Sequence, residues 1–207
     1  MKDNPLLSTA YLPSIDYFAV LANAKSVTIE NAEHYQKQSY RNRTHILAAN
    51  GMQSLSIPVV HTSSKMLIKE VQIDYKTNWQ QHHLKTIESA YNNSPFYLYY
   101  KDFLLPFFQK RYTFLFDYNM EIITLLLQLM KIEVSLSCSD EFQQYDDNKL
   151  DFRTRIHPKQ VPLSITSPLY SQVFDTKFGF TPNLSVIDLL FNVGNGSRDY
   201  LQRYNIL

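Results

Sequence analysis

Apolar residues come in short, regularly spaced runs from the start of the chain. Leu6–Leu12 reads as a first strand, and Pro13 ends it. Ser14 or Asp16 then caps a predicted helix, because Ile15, Phe18, Ala19 and Ala22 fall at i, i+3, i+4 and i+7. Val27 and Ile29 alternate in a second short strand. Strand, helix and strand in close succession predict a βαβ unit in a parallel sheet.

Residues Glu33–Ala49 fit a polar helix whose inward line is Tyr35, Ser39, Asn42 and Ile46, with Gly51 as its C-cap. Leu55, Ile57 and Val59 alternate, as do Leu67, Val71 and Ile73, with Lys69 interrupting the second set. The polar loop His61–Ser64 between them predicts a hairpin, with Pro58 at an edge or bulge. Three helices are expected from Trp79 to Met130. Trp79, His83, Ile87 and Tyr91 mark the first, and Ser94-Pro95 opens the second, with Phe96, Tyr99, Phe103 and Phe107 on its inner face. Asp117 or Asn119 caps the third, which carries Ile122, Ile123, Leu126, Leu129 and Met130. Val134 and Leu136 suggest one more strand. Asp140–Lys149 reads as a linker within one domain, before an irregular C-terminal arm, 150–207. In that arm Ser185 caps a helix over Val186–Phe191, Gly194 stops it, and Ser197 caps a last one.

Composition narrows the function classes. Of 207 residues, 44% are hydrophobic, which fits a globular chain and argues against global disorder. The net charge of +1 gives no general pull toward nucleic acid or membrane. Only 4 glycines leave little room for a Gly-rich phosphate loop, and neither GxGxxG nor a P-loop is present. The single cysteine, Cys138, excludes an internal disulfide framework and points to a reducing, cytoplasmic setting. No apolar run approaches the roughly 20 residues that span a bilayer. The six histidines show no metal-ligand spacing, so no metal and no dinucleotide is assigned and the cofactor stays unknown.

Three stretches carry candidate chemistry. Tyr11, Pro13 and Tyr17 lie where a strand ends and a helix begins, the position at which open α/β sheets bind ligands. The competing reading is a proline turn with two part-buried tyrosines. Arg41, Asn42, Arg43 and His45 offer guanidinium groups for a phosphate or carboxylate. On a helix Arg41 and His45 would be neighbours and Asn42 would face inward, needing partners. An ordinary solvated helix competes with that reading. Arg153, Arg155, His157 and Lys159 form the most basic stretch, which either closes over an anionic ligand or is a solvated loop. His83 faces inward beside Trp79. With His45 it is an acid/base candidate, since its ordinary pKa is near neutral, although a buried structural histidine competes. Cys138 has no basic neighbour in sequence to activate it.

Taken in order, the segments YLPSIDYF (from Tyr11), SYRNRTHI (from Ser39), SIPV (from Ser56), KTIESAY (from Lys85) and the tail YSQVF…GFTPNLSVIDLLFN resemble the WbqC-like family, in the form of its Bacteroidetes-type members. The resemblance covers roughly residues 8–130 and 150–200. It implies a bacterial protein of surface-polysaccharide (O-antigen) assembly without fixing a reaction. It places an NRN-like stretch on Arg41, Asn42 and Arg43 and a turn on Pro13 to Phe18; Tyr170 and Gln172, at the head of the tail segment, are further substrate-binding candidates, against the competing reading of a docked C-terminal helix. Asp16 stands where that turn usually has glycine. The opening is also similar to nucleotide-using HUP-type transferases and ligases, but its turn lacks their histidine, so that likeness concerns fold alone.

The expectation is an α/β protein: an open, mostly parallel sheet with an added hairpin, flanking helices and a C-terminal arm, in a distant HUP-like topology. Its expected role is a transferase or ligase on an anionic, nucleotide-linked substrate, with acyl or aminoacyl groups in view. The alternative is a non-catalytic binding or assembly module whose aromatic-rich helices, with Tyr97, Tyr100 and Phe108 exposed, meet a partner or a second copy. No nucleic acid is expected as a partner.

Overall fold

The computed structural model describes residues 4–61, 63, 65–144, 150–164, 167–204 and 206. Three short strands form a parallel sheet in the order β1 (Leu6–Ser8), β2 (Ser26–Glu30), β5 (Ser135–Cys138). Leu6 lies opposite Thr28, and Ser26 opposite Ser135. On the free side of β1, Leu6 pairs in parallel with Asp151. Its N–H donates to the Leu150 carbonyl, and its carbonyl accepts from Phe152 N–H, both at 2.9 Å. The predicted βαβ unit is therefore present, extended by a fourth run of chain from the C-terminal arm.

Helix α1 (Ile15–Asn23) connects β1 to β2 and is buried from Ile15 through Leu21. A helix apolar on most of its circumference belongs inside a core, and here α6 (Val186–Val193) and α7 (Ser197–Arg203) cover it. The turn leading into α1 is held from two sides. Leu12 adopts a positive φ of 39°, which costs a non-glycine residue about 1 kcal/mol or more. Its carbonyl accepts the Thr44 hydroxyl at 2.7 Å and the Ser185 hydroxyl at 2.8 Å. Ser185 stands at the start of α6, as expected, but its hydroxyl serves this turn and does not cap the helix.

The predicted helix over Glu33–Ala49 does not form. Residues Arg43–Ala48 make β3, which pairs antiparallel with β4 (Gly51–Ser56) through a two-residue turn at Ala49 and Asn50. The 3–4 spacing of Tyr35, Ser39, Asn42 and Ile46 competed with an alternation of Thr44 and Ile46. The β-branched residues won because Thr44 and Ile46 both reach the core. Asn50-Gly51 is a hairpin signal, not a helix stop. The hairpin expected between residues 55–59 and 67–73 survives only as a Val59–Ile73 bridge, with Ile68–Glu70 forming a 3-10 turn at the Lys69 interruption.

Helices α2 (Trp79–Tyr91), α3 (Tyr97–Leu104) and α4 (Leu115–Leu129) follow as predicted, and a single turn, α5 (Asp175–Phe178), precedes α6. Asp117 and Asn119 lie inside α4 and do not cap it. Ser197 is likewise the first residue of α7, after Gly196 at the cap. On α3 the inner face is the reverse of the one expected. Tyr97, Tyr100 and Leu104 are buried, whereas Leu98, Tyr99 and Phe103 are exposed and Phe96 is partly so. Both faces are aromatic, so spacing alone cannot choose. Phe191 of α6 decides, standing edge-on to Tyr97 with ring centres 5.2 Å apart. Phe108 is also buried. Part of the expected linker, residues 145–149, lies outside the described residues, as do residues 62 and 64 of the expected loop. Among the described residues no helix is long and apolar enough to cross a membrane.

If the two hydroxyls hold the Leu12 turn, Thr44→Val and Ser185→Ala should each lower stability by about 1–2 kcal/mol. Because both bond one carbonyl, their losses should not simply add. Urea unfolding of the single and double variants measures this.

Candidate functional site

At the C-terminal end of β1 the chain encloses a small hollow of about 10 Å³. Ser8, Thr9 and Tyr17 line one side, Tyr40 and Arg41 a second, and Phe152, Arg153 and Ile156 a third. Residues from three distant segments thus converge where the parallel strands end, the usual ligand position in an open α/β sheet.

The charges around the hollow are paired. Arg41 is buried and donates from Nε to Glu33 at 2.7 Å and from Nη2 to Glu33 at 2.5 Å and to Ser8 Oγ at 2.7 Å. Arg153 donates from Nη1 to Glu30 at 3.0 Å and from Nη2 to Asp151 at 2.6 Å. Glu30 is fully buried and also accepts from Ser139 Oγ. Three carboxylates therefore face two guanidinium groups. The expected positive crevice is, in this structure, a network of mutually satisfied ions. Charged hydrogen bonds hold the Asp151 carboxyl below its ordinary range despite partial burial, the main opposing influence.

Position explains each partner. Ser8 ends β1 and Glu30 ends β2, so both side chains reach the same sheet edge. Asn119 of α4 donates to the Arg41 carbonyl at 2.7 Å and fixes the backbone before β3. Tyr17 donates to the Ser8 carbonyl at 2.9 Å. Ser8, Glu30, Glu33, Asn119 and Asp151 were not candidates from sequence. Two signals for them existed: a glutamate directly ending an apolar strand, and an acid two residues before Arg153.

Other candidates lie near the hollow without lining it. His157 is half-buried next to Ile156. Burial first, then the positive field of Arg41, pushes its pKa down. The Arg155 guanidinium stacks 4.6 Å over the Phe152 ring, and Lys159 is exposed. His45 is half-buried on β3, edge-on to Tyr40, and burial pushes its pKa down, with Arg43 adding to the effect. Arg43 reaches across the hairpin to Ser56 Oγ. Asn42 is not on an inward helix face. It ties backbone instead, donating to the Ile57 carbonyl at 2.8 Å.

The remaining candidates do not join this group. Pro13 is buried in the turn, and its carbonyl accepts from Val186 N–H. Tyr11 bonds His83 Nδ1 at 2.9 Å inside an aromatic nest with Trp79 and Tyr118. Burial pushes His83 down to about 4, with His82 adding to it and a backbone bond to Ser56 opposing it. Tyr170 and Gln172 both bond the buried Asp188, at 2.5 and 3.0 Å, within the C-terminal arm. Burial pushes Asp188 up, and these bonds hold it back. Asp16 similarly accepts from Leu163 N–H, Asn183 and Tyr204, which tie the arm to α1. No cluster of three or more metal-ligating side chains occurs among the described residues.

The fold is that of an α/β protein whose parallel strands end at this crevice. The chain belongs to the WbqC-like protein family, which it matches over residues 9–161. It is also similar to an uncharacterized protein, Rv1507c, of Mycobacterium tuberculosis, at 25% identity over 98% of each chain. No solved structure matches it.

The low pKa of His83 gives a signed prediction. The unfolded chain takes up a proton near pH 6.5, whereas the folded chain resists doing so until about 4. This site's contribution to stability should therefore fall as pH drops through that window, by about 3 kcal/mol in total. Asp16 and Asp188, with raised values, act in the opposite direction. His83→Gln should be less acid-sensitive than the parent in urea unfolding between pH 7 and 4.

Proposed function

We propose that this chain is an enzyme, a cytoplasmic transferase or ligase of bacterial surface-polysaccharide assembly, whose anionic, nucleotide-linked substrate lies across the mouth of the sheet-edge hollow with its anionic portion outside it. The observation that carries this reading is the meeting of Tyr17, Arg41 and Arg153 at one concave position beyond the ends of β1 and β2. Such a position suits a site assembled from separate segments. The basic residues Arg155, His157 and Lys159 flank the lining residues Arg153 and Ile156 in the chain and, in this reading, meet the anionic portion. His157 is the better acid/base candidate. Burial, then the field of Arg41, lowers its pKa and favours the neutral ring near pH 7; its Nδ1 accepts from Lys159 N–H at 3.1 Å, so Nε2 carries the proton and the ring serves as a donor. His83 is enclosed and bonded to Tyr11, while His45 approaches the hollow only through Tyr40.

One observation favours a second reading, a binding module. Leu98 is 66% exposed, Tyr99 67% and Phe103 47%, and they share one face of α3. Exposed aromatic faces are enriched at interface cores. Under this reading the parent self-associates in light scattering, and Leu98→Ser with Phe103→Ser abolishes that association; a parent that is monomeric at all concentrations contradicts it.

Calorimetry with UDP-glucose, dTDP-glucose and ATP separates the two readings. The enzyme reading expects heat from at least one of them. Lys159→Ala and His157→Ala should each weaken that binding by roughly five- to tenfold, about 1–1.4 kcal/mol. An absence of heat with the parent protein contradicts it.

A further inference from the structure

Thr9 follows β1 directly and lines the hollow. It is wholly buried, and its Oγ1 has no hydrogen-bond partner. A hydroxyl taken out of water without a partner is costly, so such an atom calls for an occupant. The space beside it is about 10 Å³, the lower limit for one water-sized group. Arg41 lines the same hollow. Arg41 spends Nε and Nη2 on Glu33 and Ser8, and these bonds do not use Nη1.

The charge balance limits what the occupant is. Glu30, Glu33 and Asp151 already neutralise Arg41 and Arg153. An added anion would meet one more carboxylate than guanidinium, and a cation would have to displace an arginine. A neutral O–H suits the position, since it can donate and accept in the same place.

We propose that the hollow is a one-oxygen subsite, in which Thr9 holds a single neutral hydroxylic oxygen, either that of a water or that of a substrate hydroxyl. The subsite stands on the hollow alone. Its use for a substrate hydroxyl rests on the enzyme reading above, and would make Thr9 a residue that selects a hydroxyl-bearing substrate.

The test is a high-resolution crystal structure of the parent protein and of Thr9→Val, with thermal unfolding of both. Valine keeps the shape and removes the hydroxyl. The proposal expects density for one oxygen within about 3.2 Å of Thr9 Oγ1. It expects that density to vanish in Thr9→Val, with a lower Tm. Thr9→Ser should retain it. An empty hollow, with Thr9→Val melting higher than the parent because a stranded hydroxyl has been removed, overturns the proposal. Crystals grown with UDP-glucose distinguish the sources: a sugar hydroxyl replacing the oxygen assigns it to substrate, and an unchanged oxygen assigns it to water. Failure of nucleotide-sugars to bind sinks only the enzyme reading, because the oxygen would still be present.

Discussion

A guanidinium group cannot be buried without a counter-charge, and most of the sheet edge follows from satisfying that demand at Arg41. Taking either ion of such a pair from water costs several kcal/mol, which only good geometry offsets. Glu33 meets Arg41 with two parallel bonds, Ser8 takes a third, and Asn119 fixes the backbone carbonyl. Arg41 thereby ties the end of β1 to the bend after β2 through its side chain, and to the N-terminal part of α4 through its backbone carbonyl. Arg153 repeats the device, joining the end of β2 to the run of chain that extends β1 on its free side.

This arrangement changes what the basic residues do. Arginines that looked ready for a ligand are first of all structural, and the hollow between them is small and carries one carboxylate more than guanidinium. A ligand would have to compete with carboxylates already in place, or approach from the rim. The same logic recurs away from the hollow. Asp16 and Asp188 are buried carboxylates that collect donors from the C-terminal arm and bind it to the core.

Much of the frame was legible in the sequence. The spacing of Ile15, Phe18 and Ala19, the alternation of Val27 and Ile29, and the long apolar stripes of α2 and α4 each specify one element. Of the candidates Tyr11, Tyr17, Arg41–Arg43, His83 and Arg153–Lys159, the fold brings Tyr17, Arg41 and Arg153 to one hollow and leaves Tyr11 and His83 in a separate aromatic nest. What spacing could not settle was local. Residues 33–48 are too polar for either period to dominate, so the β-branched residues and Asn50-Gly51 decided. On α3 both faces are aromatic, and the choice lay with Phe191, far along the chain. The paired state of the arginines was hidden for the same reason: Glu30 and Arg153 meet only in the fold.

The most direct measurement is a double-mutant cycle between Arg41 and Glu33, read by urea unfolding of Arg41→Met, Glu33→Leu and the combined variant. If the buried pair organises the sheet edge, each single change costs about 3–5 kcal/mol, and the double change costs far less than their sum. Single losses below about 1 kcal/mol that simply add would contradict it.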